Sequence, residues 1–265
     1  MMNNLKFFYH TMNWKVYSGV TVALLCYFWW HMYDNYGQGI NVYDMLIKAS
    51  EVLTYSYVII PSFLVIVAST IPFNKNYQYF LLRFKSRLDY FKHILTQLLF
   101  ATTTFMFIVI VTICSPSLLT LSFKNEWSVF ANWYYAAHEP FLTQHSPVTY
   151  VAITLLLLWI FLFILGLLFF AILLLTKNTI IAMIFVLLVD ILNVGVSIAH
   201  IDALYPFVFI NYLDMFQFIY AYDLSQTAIP LQIFIYWLIL FTLFYTICRF
   251  VVKRVDLNEK SVSNE

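Results

Sequence analysis

Val148 to Leu175 reads VTYVAITLLLLWIFLFILGLLFFAILLL, without one charged residue. A bilayer's hydrocarbon core is about 30 Å thick and takes about 20 apolar residues in a helix. The run is therefore a membrane span, long enough to tilt or to extend past the bilayer. The rest of the chain has the same character. Of 265 residues, 63% are hydrophobic and 10% charged, whereas soluble domains carry about 25% charged residues. In hydrocarbon the backbone must satisfy its own hydrogen bonds, which leaves helices as the spanning form for such runs. The expected fold is an all-α polytopic membrane protein of one domain over 1–265.

Five further runs read as spans, over 16–33, 51–71, 94–114, 179–199 and 230–252, giving six transmembrane helices. Pro61 predicts a kink in the second, Pro72 ends it, and Ser115-Pro116 closes the third. Residues 1–15 set Lys6 and Lys15 among Phe7, Phe8, Tyr9 and Trp14, as expected of an interfacial helix. Residues 200–229 are too apolar for a free loop and too interrupted for a span. They predict a re-entrant or interfacial hairpin, and 253–265 a soluble tail. The N-terminus lacks the cleavage pattern of a signal peptide. No internal repeat is evident, which argues against inverted-repeat transporters.

Charge sets the orientation. One side of a six-span topology holds Lys6, Lys15, Lys75, Arg83, Lys85, Arg87, Lys92, Lys177, Arg249, Lys253, Arg254 and Lys260, and the other only Lys48 and Lys124. Twelve of the 14 cations thus lie on one side, and the positive-inside rule makes that side, with both termini, cytoplasmic. The densest cluster is Asn74–His93, NKNYQYFLLRFKSRLDYFKH. At helical spacing Tyr77, Phe80, Leu81, Phe84, Leu88 and Phe91 form one stripe, flanked by cations, with Tyr79, Leu82, Ser86 and Tyr90 roughly opposite. This predicts an amphipathic helix at the cytoplasmic surface between spans two and three.

Several chemistries are excluded or disfavoured. None of Gly19, Gly37, Gly39, Gly166 and Gly195 opens a GxxxxGK[ST] phosphate loop, so the chain does not bind and hydrolyse ATP in the usual way. A net charge of +1 leaves no basic patch for nucleic acid. Cys26, Cys114 and Cys248 form no CxxC pair and sit in apolar runs. His138-Glu139 and His145 lack the HExxH spacing, and Pro140 interrupts the helix such a site would need, so no metal site is expected. His200 and Asp202 read as a polar helix terminus.

Asp190 is different. It falls within the fifth span, in VLLVDILNVGVS, three residues before Asn193. An acid at mid-span costs about 2.5–3.5 kcal/mol on insertion scales unless it faces protein or water. Two readings stand: a buried Asp190–Asn193 pair gluing helices together, or a residue lining a transport path.

Six spans, cytoplasmic termini, an aromatic and basic N-terminal helix, the 74–93 helix and the 200–229 hairpin resemble permease subunits of the type-2 (export) family of ABC transporters. The phrase LLRFKSRLDYFKHI over 81–94 is similar to a pattern of small bacterial members, with Arg83, Ser86, Arg87, Tyr90 and, at a looser spacing, Lys92 in its positions. Relatives in style export bacteriocins, lantibiotics and toxin peptides and confer immunity. The resemblance implies a multi-pass protein of the bacterial plasma membrane. It implies a second permease protomer, identical or not, and a separate cytoplasmic ABC ATPase that holds the ATP and Mg, with no cofactor in this chain. The 74–93 segment would be the coupling helix, contacting the ATPase through Tyr79, Leu82, Arg83, Lys85, Ser86, Arg87 and Tyr90. An amphipathic peptide or lipid-like substrate would enter from the inner leaflet. The long 115–147 outer segment departs from the compact pattern.

Two other classes compete. An intramembrane enzyme needs two polar catalytic groups at matching depth in different spans, and only Asp190 qualifies clearly. A passive immunity or scaffold protein would sequester a peptide without turnover.

Overall fold

The structure, a computed structural model, describes residues 8–9, 12–71, 84, 86–199, 201, 203–221 and 229–254. Among these the chain is all-helical. The elements are α1 (Trp14–Asp34), α2 (Val42–Lys48), α3 (Val52–Thr70, with a π turn over Tyr55–Ile59), α4 (Arg87–Thr120), α5 (Val129–Tyr134) and α6 (Glu139–Gln144). They continue with α7 (Pro147–Thr176), α8 (Thr179–Ile198), 3-10 turns at Tyr205–Phe207 and Phe209–Tyr212, α9 (Met215–Ala221) and α10 (Leu231–Arg254).

Five helices, α3, α4, α7, α8 and α10, are long and apolar enough to cross a membrane. α1 has 21 residues and so reaches about 31 Å at 1.5 Å per residue. Its last turns, Trp29-Trp30-His31 and Asp34, make it more polar than those five. Helix α7 is the centre of the bundle. It packs on α10, α8, α4 and α3, and buries most of its length, as a charge-free run is free to do. By contrast α8 and α10 leave long apolar faces uncovered, Ile184, Leu188 and Ile191 on one, Leu238 and Ile239 on the other.

Polar bonds between helices set the bundle's register. The Tyr17 hydroxyl pairs with Thr70 Oγ1 at 3.1 Å and the Tyr27 hydroxyl with Thr54 Oγ1 at 3.0 Å, tying α1 antiparallel to α3 at both ends. The Trp159 indole N–H donates to Thr103 Oγ1 at 3.2 Å, and the Arg87 guanidinium to the Lys253 carbonyl at 2.6 Å. Lys177 reverses the chain between α7 and α8 with a positive φ of 53°. The Asn178 carboxamide then caps α8 by accepting the Ile180 and Ile181 amides.

Two expectations are corrected. α4 has 34 residues, not 21 between 94 and 114. Its start is set by Ser86, whose hydroxyl accepts the Asp89 amide, and Arg87–His93 are its first turns instead of the end of a separate surface helix. Nothing at His93-Ile94 breaks a helix, so the polar and apolar parts run on as one. Pro116 lies inside α4 and does not end it. The rod continues to Thr120, where the backbone turns extended at Leu121. At Pro61 the expected irregularity takes the form of a π turn. The π turn precedes it, with the Ile60 amide donating to the Tyr55 carbonyl, five residues back. Proline has no N–H to offer the carbonyl four residues behind it, and a wider turn suits that missing bond. The rest of the 74–93 helix, and most of the 1–15 and 253–265 segments, lie outside the described residues. Within 200–229 the described part is two 3-10 turns and the short helix α9.

The tightest of the glycine sites is Gly166 of α7, where an added Cβ would meet Leu98 Cδ1 at 2.4 Å. Leu98 is itself buried. Gly166→Ala is expected to cost about 1–3 kcal/mol through overpacking, and Leu98→Ala in the same chain to recover part of it. Thermal melts of the two single variants and the double variant check this. Additive losses would mean that the two side chains do not meet.

Candidate functional site

Two cavities bring polar groups together. The first lies at the end of the bundle where α1 finishes and α3 and α7 begin. Short elements fold back over this end. Asn41 caps α2, with its own amide donating to Asp44 Oδ2 at 2.7 Å, and its side chain donates to the Glu126 carbonyl at 2.9 Å. The hub is Phe216 of α9. Its ring stacks on Tyr150 at 4.4 Å and on His138 at 4.9 Å, and touches Tyr135 at 4.4 Å and Phe141 at 5.4 Å. Asp214 Oδ1 accepts the Tyr150 hydroxyl at 2.6 Å and the Phe216 amide at 2.8 Å, so one carboxylate holds α9 on α7. Beside this cluster is a cavity of about 380 Å³, bordered by His31, Asp44, the Lys48–Glu51 ion pair, Tyr134, Tyr135 and Asp214.

The protonation of this cap follows from burial. Burial pushes the Asp44 carboxyl above its ordinary value, against hydrogen bonds from Asn41 and Ser128. It also raises the Tyr135 phenol, with the Asp214 charge adding to the effect. His138 is lowered by burial, only partly offset by Asp214. None of these groups forms a metal-binding set: among the described residues no three His, Cys, Asp or Glu side chains are grouped to hold an ion.

The second cavity is in the flank of the bundle, between α3 and α8. It has about 210 Å³ and is lined by Ser56, Tyr57, Pro61, Leu187, Asp190, Ile191 and Val194. Asp190 is eight residues from the end of α8, about 12 Å along its axis, and is 1% exposed. The Ser56 hydroxyl sits beside its carboxyl. Yet Asp190 Oδ1, Ser56 Oγ and the Tyr55 hydroxyl are all buried without a well-formed hydrogen bond. Buried polar atoms are almost always paired, and π turns gather at functional sites. Asp190 and Ser56 at a cavity beside a π turn, with the Tyr55 hydroxyl buried in that turn, make this the candidate site.

The site residues expected from sequence separate. Asp190 is in the cavity, but Asn193 does not pair with it. Asn193 Oδ1 accepts the Ile210 amide at 3.4 Å and so braces the Phe209–Tyr212 turn. Ser56 and Tyr55 carry no signal in the sequence that links them to Asp190; the tertiary structure brings them to it. Of the coupling set, Tyr79, Leu82, Arg83 and Lys85 lie outside the described residues. Ser86 and Arg87 stay at the exposed start of α4. Tyr90 is corrected: it is 1% exposed and packs against Phe84 and Phe170, with ring centroids 5.6 and 6.3 Å away. The unbroken α4 rotates it inward, so it offers no outer contact.

Among the described residues, fold and site together define an all-helical protein whose five apolar helices suit a multi-pass place in a membrane, with a mostly apolar cavity holding one acid set into the helix flank. The chain is 35% identical over 246 residues to the uncharacterized protein BH0177 of Halalkalibacterium halodurans, covering 93% of this chain and 90% of that one. It belongs to the same family. No family model and no solved structure matches it.

A base held below its unfolded value stabilises the fold while neutral. That contribution is full above about pH 6.5 and is lost as pH falls through the folded value. Asp44, raised instead, acts in the opposite sense: its contribution is present at acid pH and lost as pH rises through its folded value. His138→Phe is therefore expected to narrow whatever fall in melting temperature the protein shows between pH 7.5 and pH 5. An unchanged difference would show that His138 does not titrate in this range.

Proposed function

We propose that this chain is the transmembrane permease subunit of an ATP-driven exporter of the type-2 ABC kind, moving an amphipathic peptide or lipid-like substrate out of a bacterial cell. α1 is the first of six spans, both termini are cytoplasmic, and a second protomer completes the pathway. ATP and Mg belong to a separate ATPase, because this sequence carries no phosphate loop. The observation that carries the reading is the cavity at Asp190. A bundle that only scaffolds has no use for a buried carboxyl and a serine hydroxyl left without well-formed hydrogen bonds beside an opening in its flank. Its cost is repaid if a passing substrate supplies the missing partners. The lopsided distribution of cations and the pinning of α1 to α3 agree with six spans. The ATPase contact falls on 74–93, with Ser86 and Arg87 at its edge.

A second reading has one observation in its favour. Ser56 and Asp190 are polar groups from different spans that meet, which is what an intramembrane hydrolase requires. A carboxyl-paired serine without a histidine or lysine is a weakly activated nucleophile, so transport is preferred.

Gentle-detergent purification tests this. A cytoplasmic ATPase should accompany the wild-type chain and be lost in Arg83→Glu/Arg87→Glu, while the helices still insert. Asp190→Asn should keep the ATPase and a melting curve within about 1 kcal/mol of wild type, yet abolish export. Absence of any ATPase would sink the exporter reading. Ser56-dependent hydrolysis without an ATPase would establish the enzyme.

A further inference from the structure

We propose that the cavity between α3 and α8 binds the ammonium group of a long-chain amine arriving from the bilayer, with Asp190 as its counter-ion. This builds on the reading of the bundle as membrane-spanning and names a class of ligand for it.

The first argument is charge. Asp190 is buried, and α3, α7 and α8 carry no Lys, Arg or His over Val52–Thr70, Pro147–Thr176 and Thr179–Ile198. A buried carboxylate without a matching cation is strongly disfavoured, and among the described residues no cation is placed to match this one, so its partner is a proton or a ligand. An ammonium supplies that charge.

The second argument is hydrogen bonding. An ammonium has three donors and no acceptor. Asp190 Oδ1 and Ser56 Oγ, both buried at the cavity without a well-formed hydrogen bond, offer it two acceptors. A carboxylate ligand would meet Asp190 as a like charge. An alcohol would satisfy one oxygen and leave the charge unmatched.

The third argument is shape. Pro61, Leu187, Ile191 and Val194 give the rest of the lining an apolar character suited to methylenes. Tyr57 and Ile191, which also border the cavity, are 67% and 56% exposed on the flank. The opening thus lies along the side of the helices and not at either end of the bundle. In a membrane that side faces acyl chains, so the ligand comes with an alkyl tail left in the lipid. Tyr57 at the rim adds an aromatic ring for the cation. A volume of about 210 Å³ takes a headgroup and a few methylenes, not a folded peptide.

The test is photolabelling of the full-length protein in phosphatidylcholine nanodiscs by a long-chain primary amine with a diazirine near its head. Labelling is expected on Tyr57, Ile191 and Val194, with oleylamine competing and oleic acid and oleyl alcohol not. Asp190→Asn should cut labelling about tenfold, the usual scale for losing a charged hydrogen bond. Ile191→Trp, which fills the cavity and leaves the carboxyl in place, should also block it. Melting curves show that the variants are folded. Labelling undiminished in both variants, equal competition by oleic acid or oleyl alcohol, or label spread evenly along α8 and α10 would each overturn the proposal. No ATPase is needed for labelling, so this result and the co-purification result fail independently. A labelled protein without an ATPase loses the exporter reading and keeps the site; an ATPase-bound protein that takes no label does the reverse.

Discussion

A helix in hydrocarbon has no water to turn to, and every polar atom it carries must be paired inside the protein or left at a cost. Most of this structure is the consequence. Serine and threonine side chains within the long helices bond back to carbonyls of the preceding turn, as Thr102 does to Leu98 and Ser117 to Ile113. Tyr17 and Trp159 donate to threonines of neighbouring helices and Tyr27 pairs with Thr54, so the same bonds that satisfy them also set helix register. Even Cys248 donates, to the Leu167 carbonyl at 3.2 Å. Asp190 Oδ1, Ser56 Oγ and the Tyr55 hydroxyl are buried without a well-formed hydrogen bond, as Thr154 Oγ1 and Ser115 Oγ also are, but these three sit together beside a cavity. They lie at the one place where Pro61 has already forced the backbone off the α-helical pattern.

The cap end follows a different rule. There the chain is short of apolar length but rich in rings, and order comes from aromatic packing around Phe216 with Asp214 as the polar clasp. Trp127 reaches across to the His145 carbonyl at 2.8 Å, and the Trp237 indole to the Tyr212 carbonyl at 2.9 Å. Each ring keeps its apolar body in the cluster and its polar edge on backbone, which suits tyrosine and tryptophan where an apolar region meets a wet one. The two regimes meet at Tyr150 in the first turn of α7, whose hydroxyl ties the central helix to the cap.

What could be read along the chain depended on whether the signal was local. Charge-free runs announce their helices because hydropathy is a property of consecutive residues, and the ends of α7 at Pro147 and Thr176 lie close to where composition changes. The start of α4 was misjudged because a cluster of cations looks like a boundary, yet the backbone obeys Ser86 and ignores the change in polarity at His93. Tyr90 was assigned outward from spacing alone, since a helical wheel gives relative faces but not which face the neighbours cover. Asp190 was conspicuous as an acid among leucines. Its companions were not, because serine and tyrosine are common in such helices and nothing nearby in sequence links 56 to 190.

By itself the sequence determined that the chain is a set of apolar helices, that no phosphate loop is present, and that one acid is out of place. These are statements about composition and spacing, and they need no knowledge of what packs where. The tertiary structure alone decided that α7 is the central helix and that Asn193 braces the cap instead of pairing with Asp190. It also decided that Ser56 comes from α3 to meet the acid across a cavity. Those outcomes depend on contacts between residues far apart in the chain, where helix rotation and crossing choose the partner and local spacing has no say.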